Sequence, residues 1–121
     1  MGIRCAFTHH LMDGLNFGEA ASQDVRGAVQ YLKAAKLGSG KVGVTGFCMG
    51  GALTVLASTM VPEADAGVVW YGYPPLEYVD ASKIGMPLMA HWATQDGAFA
   101  IAGVDALEAK LKEAKVRYEG H

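Results

Sequence analysis

The feature that most constrains the fold is a turn flanked by glycines, which lies between an apolar run and a segment of helical length. The apolar run occupies residues 42–45, the turn reads G-F-C-M-G at 46–50, and the helical segment continues to Ser58. In a strand–turn–helix of this kind the central side chain is held on a sharp, strained backbone, with its tip exposed above the edge of the sheet. The pattern G-x-C-x-G therefore predicts an exposed, nucleophilic thiol at Cys48.

Glycine is expected on both sides of this cysteine, at Gly46 and Gly50, for a steric reason. The backbones of the strand and the helix approach each other closely at such a turn and leave no room for a Cβ atom. Because cysteine stands where serine is commoner, the turn predicts a hydrolase that acts through a thiolate.

The remainder of the chain alternates between apolar runs and helical patterns. Strands are predicted at 66–71, at 86–93 and from residue 115, and helices from about Asn16 to Lys36 and from about Ile101 to Glu113. Nearly continuous apolar strands that alternate with helices are typical of a mostly parallel sheet. We therefore predict a three-layer α/β fold with helices on both faces of the sheet, formed as a single domain by residues 1–121.

Composition narrows the range of partners and cofactors. A net charge of −2 and a pI near 6.0 provide no basic surface for nucleic acid, and no apolar run reaches the length that spans a bilayer. Cys5 and Cys48 are too few for a disulfide framework, and no C-x-x-C motif indicates zinc. The adjacent His9 and His10 are expected to be solvated rather than metal-bound. We expect a cytoplasmic protein with free thiols and no metal or organic cofactor.

A second chemical group follows the strand predicted at 86–93. Ligands of open parallel sheets bind beyond the carboxyl ends of the strands, where both Cys48 and Asp96 are expected. A carboxylate in this position can orient an imidazole, which in turn deprotonates the nucleophile. In folds of this type the nucleophile comes first along the chain, the acid second and the histidine last. The histidine is therefore expected after the strand that begins at Lys115.

A family resemblance is carried by three segments, which read G-F-C-M-G-G, V-V-W-Y-G and M-P-L-M-A-H-W-A-T-Q-D. Together they resemble the dienelactone hydrolase family of α/β-hydrolases, over roughly residues 10–121. The resemblance implies that Cys48 is the nucleophile and Asp96 the acid of a Cys-His-Asp triad. It also implies that the backbone N–H of Met49 is one donor of the oxyanion hole, and that the substrate is a small ester or lactone.

The chain departs from the family pattern at both ends. Members of the family have about four strands before the elbow strand, whereas only 47 residues precede Cys48 here. The family histidine lies about thirty residues after the acid, which falls past His121. We therefore expect a partial α/β-hydrolase fold, a truncated member that lacks the early strands and the C-terminal segment. His121 itself is an alternative base, because it ends the strand that the family histidine follows.

Two other functions are compatible with the pattern. A half-sheet without its early strands exposes an edge, so the chain could be a catalytically weak or inactive domain that covers this edge by forming a homo-oligomer. Residues 45–51 also approximate the T-G-x-x-x-G-x-G turn of a dinucleotide-binding fold. That turn requires an acidic residue at the end of the next strand, and here the next strand ends in W-Y-G-Y, which disfavours a bound dinucleotide.

Three side chains near the predicted strand ends have less certain roles. His91 alternates with apolar neighbours in a strand and is expected to be a hydrogen-bonded core residue. Trp70 and Tyr71 are placed either to line a substrate pocket or to fill the core, and the sequence does not separate these two roles.

Overall fold

Four parallel strands form one sheet in the computed structural model, which describes residues 16–121. The strands pair in chain order, so that each lies beside the next one along the sequence. They are β1 (Gly43–Phe47), β2 (Ala66–Trp70), β3 (Leu88–His91) and β4 (Tyr118–Gly120). The predicted α/β class with a parallel sheet is confirmed, and all four strands occur where the sequence indicated them.

Three longer helical segments accompany this sheet within residues 16–121, together with two short 3-10 helices, Leu76–Tyr78 and Ala81–Lys83. The first, α1, covers residues 17–34 and consists of an α-helical turn (Phe17–Glu19), a π-helical stretch (Ala20–Val25) and an α-helix (Arg26–Ala34). The other two are α2 (Met49–Met60) and α3 (Ile101–Glu113). The Asn16 side chain accepts a hydrogen bond from the N–H of Glu19 at 3.1 Å and so caps α1 at its predicted start.

The helices α2 and α3 cover the same face of the sheet. A Cβ atom on Gly67 of β2 would lie 3.3 Å from the Thr54 side chain of α2. Gly120 of β4 is in register with Ala90 of β3, and a Cβ atom on it would lie 2.5 Å from the Glu108 carboxylate of α3. The hydrophobic core fills the space between this face and the helices, with fully buried members Val55, Val69, Ala90, Leu107 and Leu111.

The opposite face carries a row of stacked rings, one from each strand or its end, which we call the ring ladder. Its members are Phe47, Trp70, His91 and His121, and the successive ring centroids are 5.3, 4.4 and 5.1 Å apart. Phe47 remains 60% exposed. Helices were predicted on both faces of the sheet. In the part of the chain that the structure describes, α2 and α3 both lie on the face opposite the ring ladder. His91, predicted as a hydrogen-bonded core residue, is instead a half-buried ring of this ladder.

Ion pairs fasten α1 to the loops at the amino ends of β1 and β2. Arg26 donates to Glu63 at 2.7 Å, and Lys33 Nζ donates to Asp65 Oδ2 at the same distance. Asp65 Oδ2 also accepts the N–H of Val42 at 2.8 Å. Hydrogen bonds from these donors lower the pKa of the Glu63 carboxyl and of the Asp65 carboxyl to about 2.

We expect the stability of the protein to depend on the ionised state of Asp65. Because the folded pKa of about 2 lies below the ordinary value of 3.8, the stabilisation is complete above pH 4 and is lost as the pH falls through about 2. Asp65→Asn should therefore lower the urea midpoint of unfolding at pH 6, and the gap to the wild type should narrow towards pH 2. Asp105→Asn, an exposed change on α3, is the control. A gap that stays constant with pH would contradict this role of Asp65.

Candidate active site

The chain turns sharply at Cys48, between the end of β1 at Phe47 and the start of α2 at Met49. Its backbone has φ +57° and ψ −120°, a combination that side chains other than glycine rarely adopt. The N–H of Cys48 donates to the Trp70 carbonyl at 3.1 Å, and its carbonyl accepts from the N–H of Ala52 at 3.1 Å. The predicted strand–turn–helix is present, and the strained residue at its centre is the cysteine.

Glycines permit this close approach of the backbones around Cys48. Some of them differ from the glycines that the sequence indicated. A Cβ atom on Gly46 would overlap the carbonyl of Gly50, and one on Gly72 would overlap the carbonyl of Cys48. A Cβ atom on Gly51 would lie 2.7 Å from the Trp70 carbonyl. By contrast, a Cβ atom on Gly50 would meet no atom of the described residues within 4 Å. The predicted crowding is thus correct for Gly46 and wrong for Gly50. It is the backbone of Gly50 that leaves no room for a side chain at Gly46.

Met49 is the first residue of α2, so its N–H points out of the amino end of the helix. The first N–H groups of a helix have no acceptor within the helix, and the helix dipole places partial positive charge there. An oxygen that gains negative charge beside Cys48 would therefore meet a donor from Met49. This geometry is compatible with the oxyanion-hole role expected for the Met49 N–H, which stays a prediction.

Asp96 lies in the loop that follows β3, and its carboxylate is half-buried. Its Oδ1 atom accepts two backbone hydrogen bonds, from Ala98 at 2.8 Å and from Phe99 at 3.0 Å. Within residues 16–121 these bonds use Oδ1 alone, so Oδ2 is left for another donor. Cys48 and Asp96 both follow the carboxyl ends of strands, but β2 lies between β1 and β3. Two strand spacings amount to about 10 Å, so a third group is needed to connect them.

The histidines of the described region belong to the ring ladder. The His121 ring stacks on that of His91, and His121 Nε2 lies 2.7 Å from Glu119 Oε1. Two rings, those of His91 and Trp70, separate His121 from the strand that leads to Cys48. The structure therefore does not bring His121 to Cys48. The other two histidines, His9 and His10, and the second cysteine, Cys5, lie outside the described residues.

A cavity of about 330 Å³ opens beside the elbow and was not foreseen from the sequence. Its principal lining residues are Phe17, Met49, Tyr73, Pro74, Pro75 and Phe99. Of the two aromatic residues considered for a pocket, Trp70 is in the ring ladder and Tyr71 is a partly exposed residue with a φ of +46°. The aromatic wall is instead provided by Tyr73. The sequence feature that could have indicated Tyr73 was its position two residues after Tyr71, beyond the carboxyl end of β2.

A second unforeseen group anchors the start of the Asp96 loop. The Trp92 indole N–H donates to the Tyr118 hydroxyl at 2.8 Å, and this hydroxyl donates to Glu108 Oε1 at 2.5 Å. Burial, together with the neighbouring Glu108 carboxylate, raises the pKa of Tyr118 far above its ordinary value. Tyr118 therefore keeps its proton, and it links the segment after β3 to β4 and α3.

Two further features are absent from the part of the chain described above. Among residues 16–121 no group of three or more histidine, cysteine or acidic side chains could hold a metal ion. No helix in the same range is long and apolar enough to cross a membrane.

Comparison with known proteins gives matches at the levels of family, sequence and fold. A family model described as "Dienelactone hydrolase family" matches residues 5–121. Protein usf of Aquifex pyrophilus is 38% identical over 73 residues, which is 59% of this chain and 32% of that protein. Carboxymethylenebutenolidase 1 of Cupriavidus pinatubonensis is 35% identical over 81 residues, 64% of this chain and 33% of that protein. The chain thus spans about a third of the length of these relatives.

Similarity to solved structures extends to more remote sequences. The chain superposes on esterase 2 of Thermogutta terrifontis with a TM-score of 0.69, over 89% of this chain and 53% of that one. The sequence identity is 15%, so this likeness concerns the fold alone. It agrees with the partial α/β-hydrolase fold expected from the order of strands and helices.

The steric roles of the two elbow glycines can be separated by substitution. Gly46→Ala places a methyl group on the Gly50 backbone and should destabilise the protein by roughly 2–4 kcal/mol, because neither backbone can move without breaking β1 or α2. Gly50→Ala has space and should change the free energy of unfolding by less than about 1 kcal/mol. Urea denaturation followed by circular dichroism measures both. Equal losses for the two variants would contradict the observed packing.

Proposed function

Because the chain belongs to the dienelactone hydrolase family, we propose that its parent activity is the hydrolysis of carboxylic esters or lactones by a Cys48 thiolate. The observation that carries this proposal is the strained backbone of Cys48 at the carboxyl end of β1, beside the amino end of α2. A structural cysteine has no need of such a conformation, whereas a nucleophile gains exposure above the sheet from it. Asp96 is proposed as the acid of a Cys-His-Asp triad.

The histidine of the proposed triad first takes the proton of the Cys48 thiol and becomes an imidazolium, and the resulting thiolate sulfur attacks the ester carbonyl carbon. A C–S bond forms and the carbonyl π electrons move to oxygen, which gives a tetrahedral oxyanion beside the Met49 N–H and the amino end of α2. Collapse of this species breaks the bond to the leaving oxygen, which takes a proton from the imidazolium and departs as the alcohol. In a lactone, this alcohol stays attached to the acyl group.

Water completes the cycle. The imidazole removes a proton from a water molecule, whose oxygen attacks the thioester carbon. The C–S bond then breaks, the carboxylic acid leaves, and the thiolate is restored. Neither step consumes an oxidant or an organic cofactor.

The role proposed for Asp96 follows from the way its carboxylate is held. Hydrogen bonds from the N–H groups of Ala98 and Phe99 fix Oδ1, which leaves Oδ2 to accept an N–H from an imidazole. Since one strand separates Cys48 and Asp96, an imidazole between them would reach both. The described histidines, His91 and His121, are stacked in the ring ladder, so the base of the proposed triad is assigned to neither of them.

Self-association is a second candidate property, favoured by one specific observation. The ring ladder ends at Phe47, whose side chain is 60% exposed on β1, an edge strand of the described sheet. An exposed aromatic residue on a sheet edge is a surface that a second copy of the chain could cover.

The proposed nucleophile predicts a specific loss of activity. Wild-type protein should hydrolyse p-nitrophenyl acetate, and Cys48→Ala should lower the rate to that of buffer, because no group replaces the thiolate. Asp96→Asn should reduce the rate by a factor of about 10 to 10⁴. Cys5→Ala serves as the matched control because it removes the other cysteine. Equal rates for wild type and Cys48→Ala would refute the nucleophilic role.

The exposed end of the ring ladder predicts a concentration-dependent association. In analytical ultracentrifugation, wild-type protein at micromolar concentration should sediment as a dimer or larger species. Phe47→Gln should shift the distribution towards monomer, since it removes the exposed ring. Tyr31→Gln is the control, because Tyr31 is 73% exposed on α1 and is not part of the ring ladder. A wild-type monomer throughout this range would exclude self-association.

A further inference from the structure

The apolar cavity beside the elbow has the features of a substrate subsite. We propose that it binds an uncharged aryl group of about the size of one substituted phenyl ring, carried by the ester substrate. This inference rests on the proposed function, which makes the bound molecule a substrate. The chemistry of the bound group is inferred from the cavity itself.

The position of the cavity links it to both proposed catalytic residues. Met49, which lines one side, directly follows Cys48 in the chain. On the other side lie Ala98 and Phe99, whose N–H groups hold the Asp96 carboxylate. A group that fills the cavity therefore contacts the residue that follows the proposed nucleophile at one end and the loop that holds the proposed acid at the other.

The size of the cavity limits what it can hold. Its volume of about 330 Å³ is at the lower end of the range for small-molecule sites, which is roughly 300–1,000 Å³. An apolar cavity of roughly 150 Å³ is known to hold benzene. The space is therefore large enough for one substituted aromatic ring.

The lining selects an uncharged ring. The side chains that face the cavity carry no ionisable acid or base apart from the Tyr73 phenol, and its hydroxyl donates to the Ala100 carbonyl at 2.8 Å. Phe17, Tyr73 and Phe99 present aromatic surfaces, and the last two are packed edge to face at 5.6 Å. A ligand ring can join this arrangement. A carboxylate in the same space would lose its water without gaining a cation among the described residues, which is unfavourable.

The Tyr73 wall is built rigidly into the fold. Its ring also packs against Trp92, with centroids 6.2 Å apart, and Trp92 is bound to Tyr118. Gly103 of α3 lies so close to the Tyr73 ring that a Cβ atom there would overlap its hydroxyl. The wall is thus preorganised, which reduces the entropy lost when a ligand is bound.

Binding can be tested without catalysis, by using the full chain with Cys48→Ala. The probes are benzamide and benzoate, which have nearly the same shape and differ in charge. We expect benzamide to shift the amide NMR signals of Met49, Ala98 and Phe99, with a dissociation constant at least about tenfold below that of benzoate. Phe99→Ala should weaken benzamide binding at least about fivefold. Equal affinities for the two probes, or shifts confined to residues outside the cavity, would overturn the proposal.

Two controls separate a local loss from a failure to fold. Phe99→Leu keeps an apolar side chain and should retain most of the affinity that Phe99→Ala loses. Tyr78→Ala removes a ring that is 54% exposed and does not line the cavity, so benzamide binding should be unchanged. If Tyr78→Ala weakens binding as much as Phe99→Ala, the assigned location is wrong.

Activity then separates this inference from the proposed function. If the subsite binds the ring of a substrate, benzyl acetate should be hydrolysed with a kcat/KM at least about tenfold above that of methyl acetate, whose leaving alcohol has nearly the same pKa, and Phe99→Ala should reduce this ratio. Hydrolysis that depends on Cys48 but does not distinguish the two esters overturns the subsite and leaves the proposed hydrolase intact. Selective benzamide binding without hydrolysis that depends on Cys48 supports the subsite as a binding site and overturns the proposed hydrolase.

Discussion

The close approach of three backbone segments at Cys48 is the constraint on which the rest of the structure depends. The cysteine lies at φ +57°, its N–H is bound to the Trp70 carbonyl, and its own carbonyl faces Gly72. Such a conformation is costly for a residue with a Cβ atom, by roughly 1–3 kcal/mol, and persists only where the surroundings determine it. Here it is determined by the pairing of β1 with β2 and by the burial of α2 against both.

The same packing places the chemical groups. Parallel strands all end at one edge of the sheet. Three segments are therefore neighbours there: the elbow after β1, the segment after β2 that contains Tyr73, and the Asp96 loop after β3. The Asp96 loop is fixed from two directions, by its own backbone N–H bonds to Oδ1 and by the Trp92–Tyr118–Glu108 group at its start. Between these loops lies the apolar cavity, so the space for a ligand follows from the arrangement of the strands.

Local patterns in the chain predicted much of this arrangement. The elbow was evident because an apolar strand, a glycine turn and a helical segment follow one another within 18 residues, and each depends mainly on near neighbours. The position of Asp96 beyond β3 followed from the rule that governs parallel sheets. The start of α1 at Asn16 was also readable, since a cap depends on residues three apart.

Other features depend on residues far apart in the chain. Gly50 was predicted to be crowded and is not, while Gly51 and Gly72 are, because their neighbours come from β2 and from the elbow itself. His91 has the alternation of a core residue, but it lies on the face where the rings of β1 to β4 stack. No periodicity within one strand distinguishes the two faces of a sheet when both carry apolar residues.

The sequence by itself determined the class of fold, the strained turn at Cys48 and the place of Asp96 after the third strand, since these depend on short-range steric and hydrophobic patterns. Tertiary structure alone decided which glycines are indispensable, where His121 lies, and that Tyr73 and Phe99 enclose a cavity beside Met49. The physical reason is that contact between side chains is set by the register and spacing of paired strands. A shift of one residue in that register would turn every side chain of a strand to the other face.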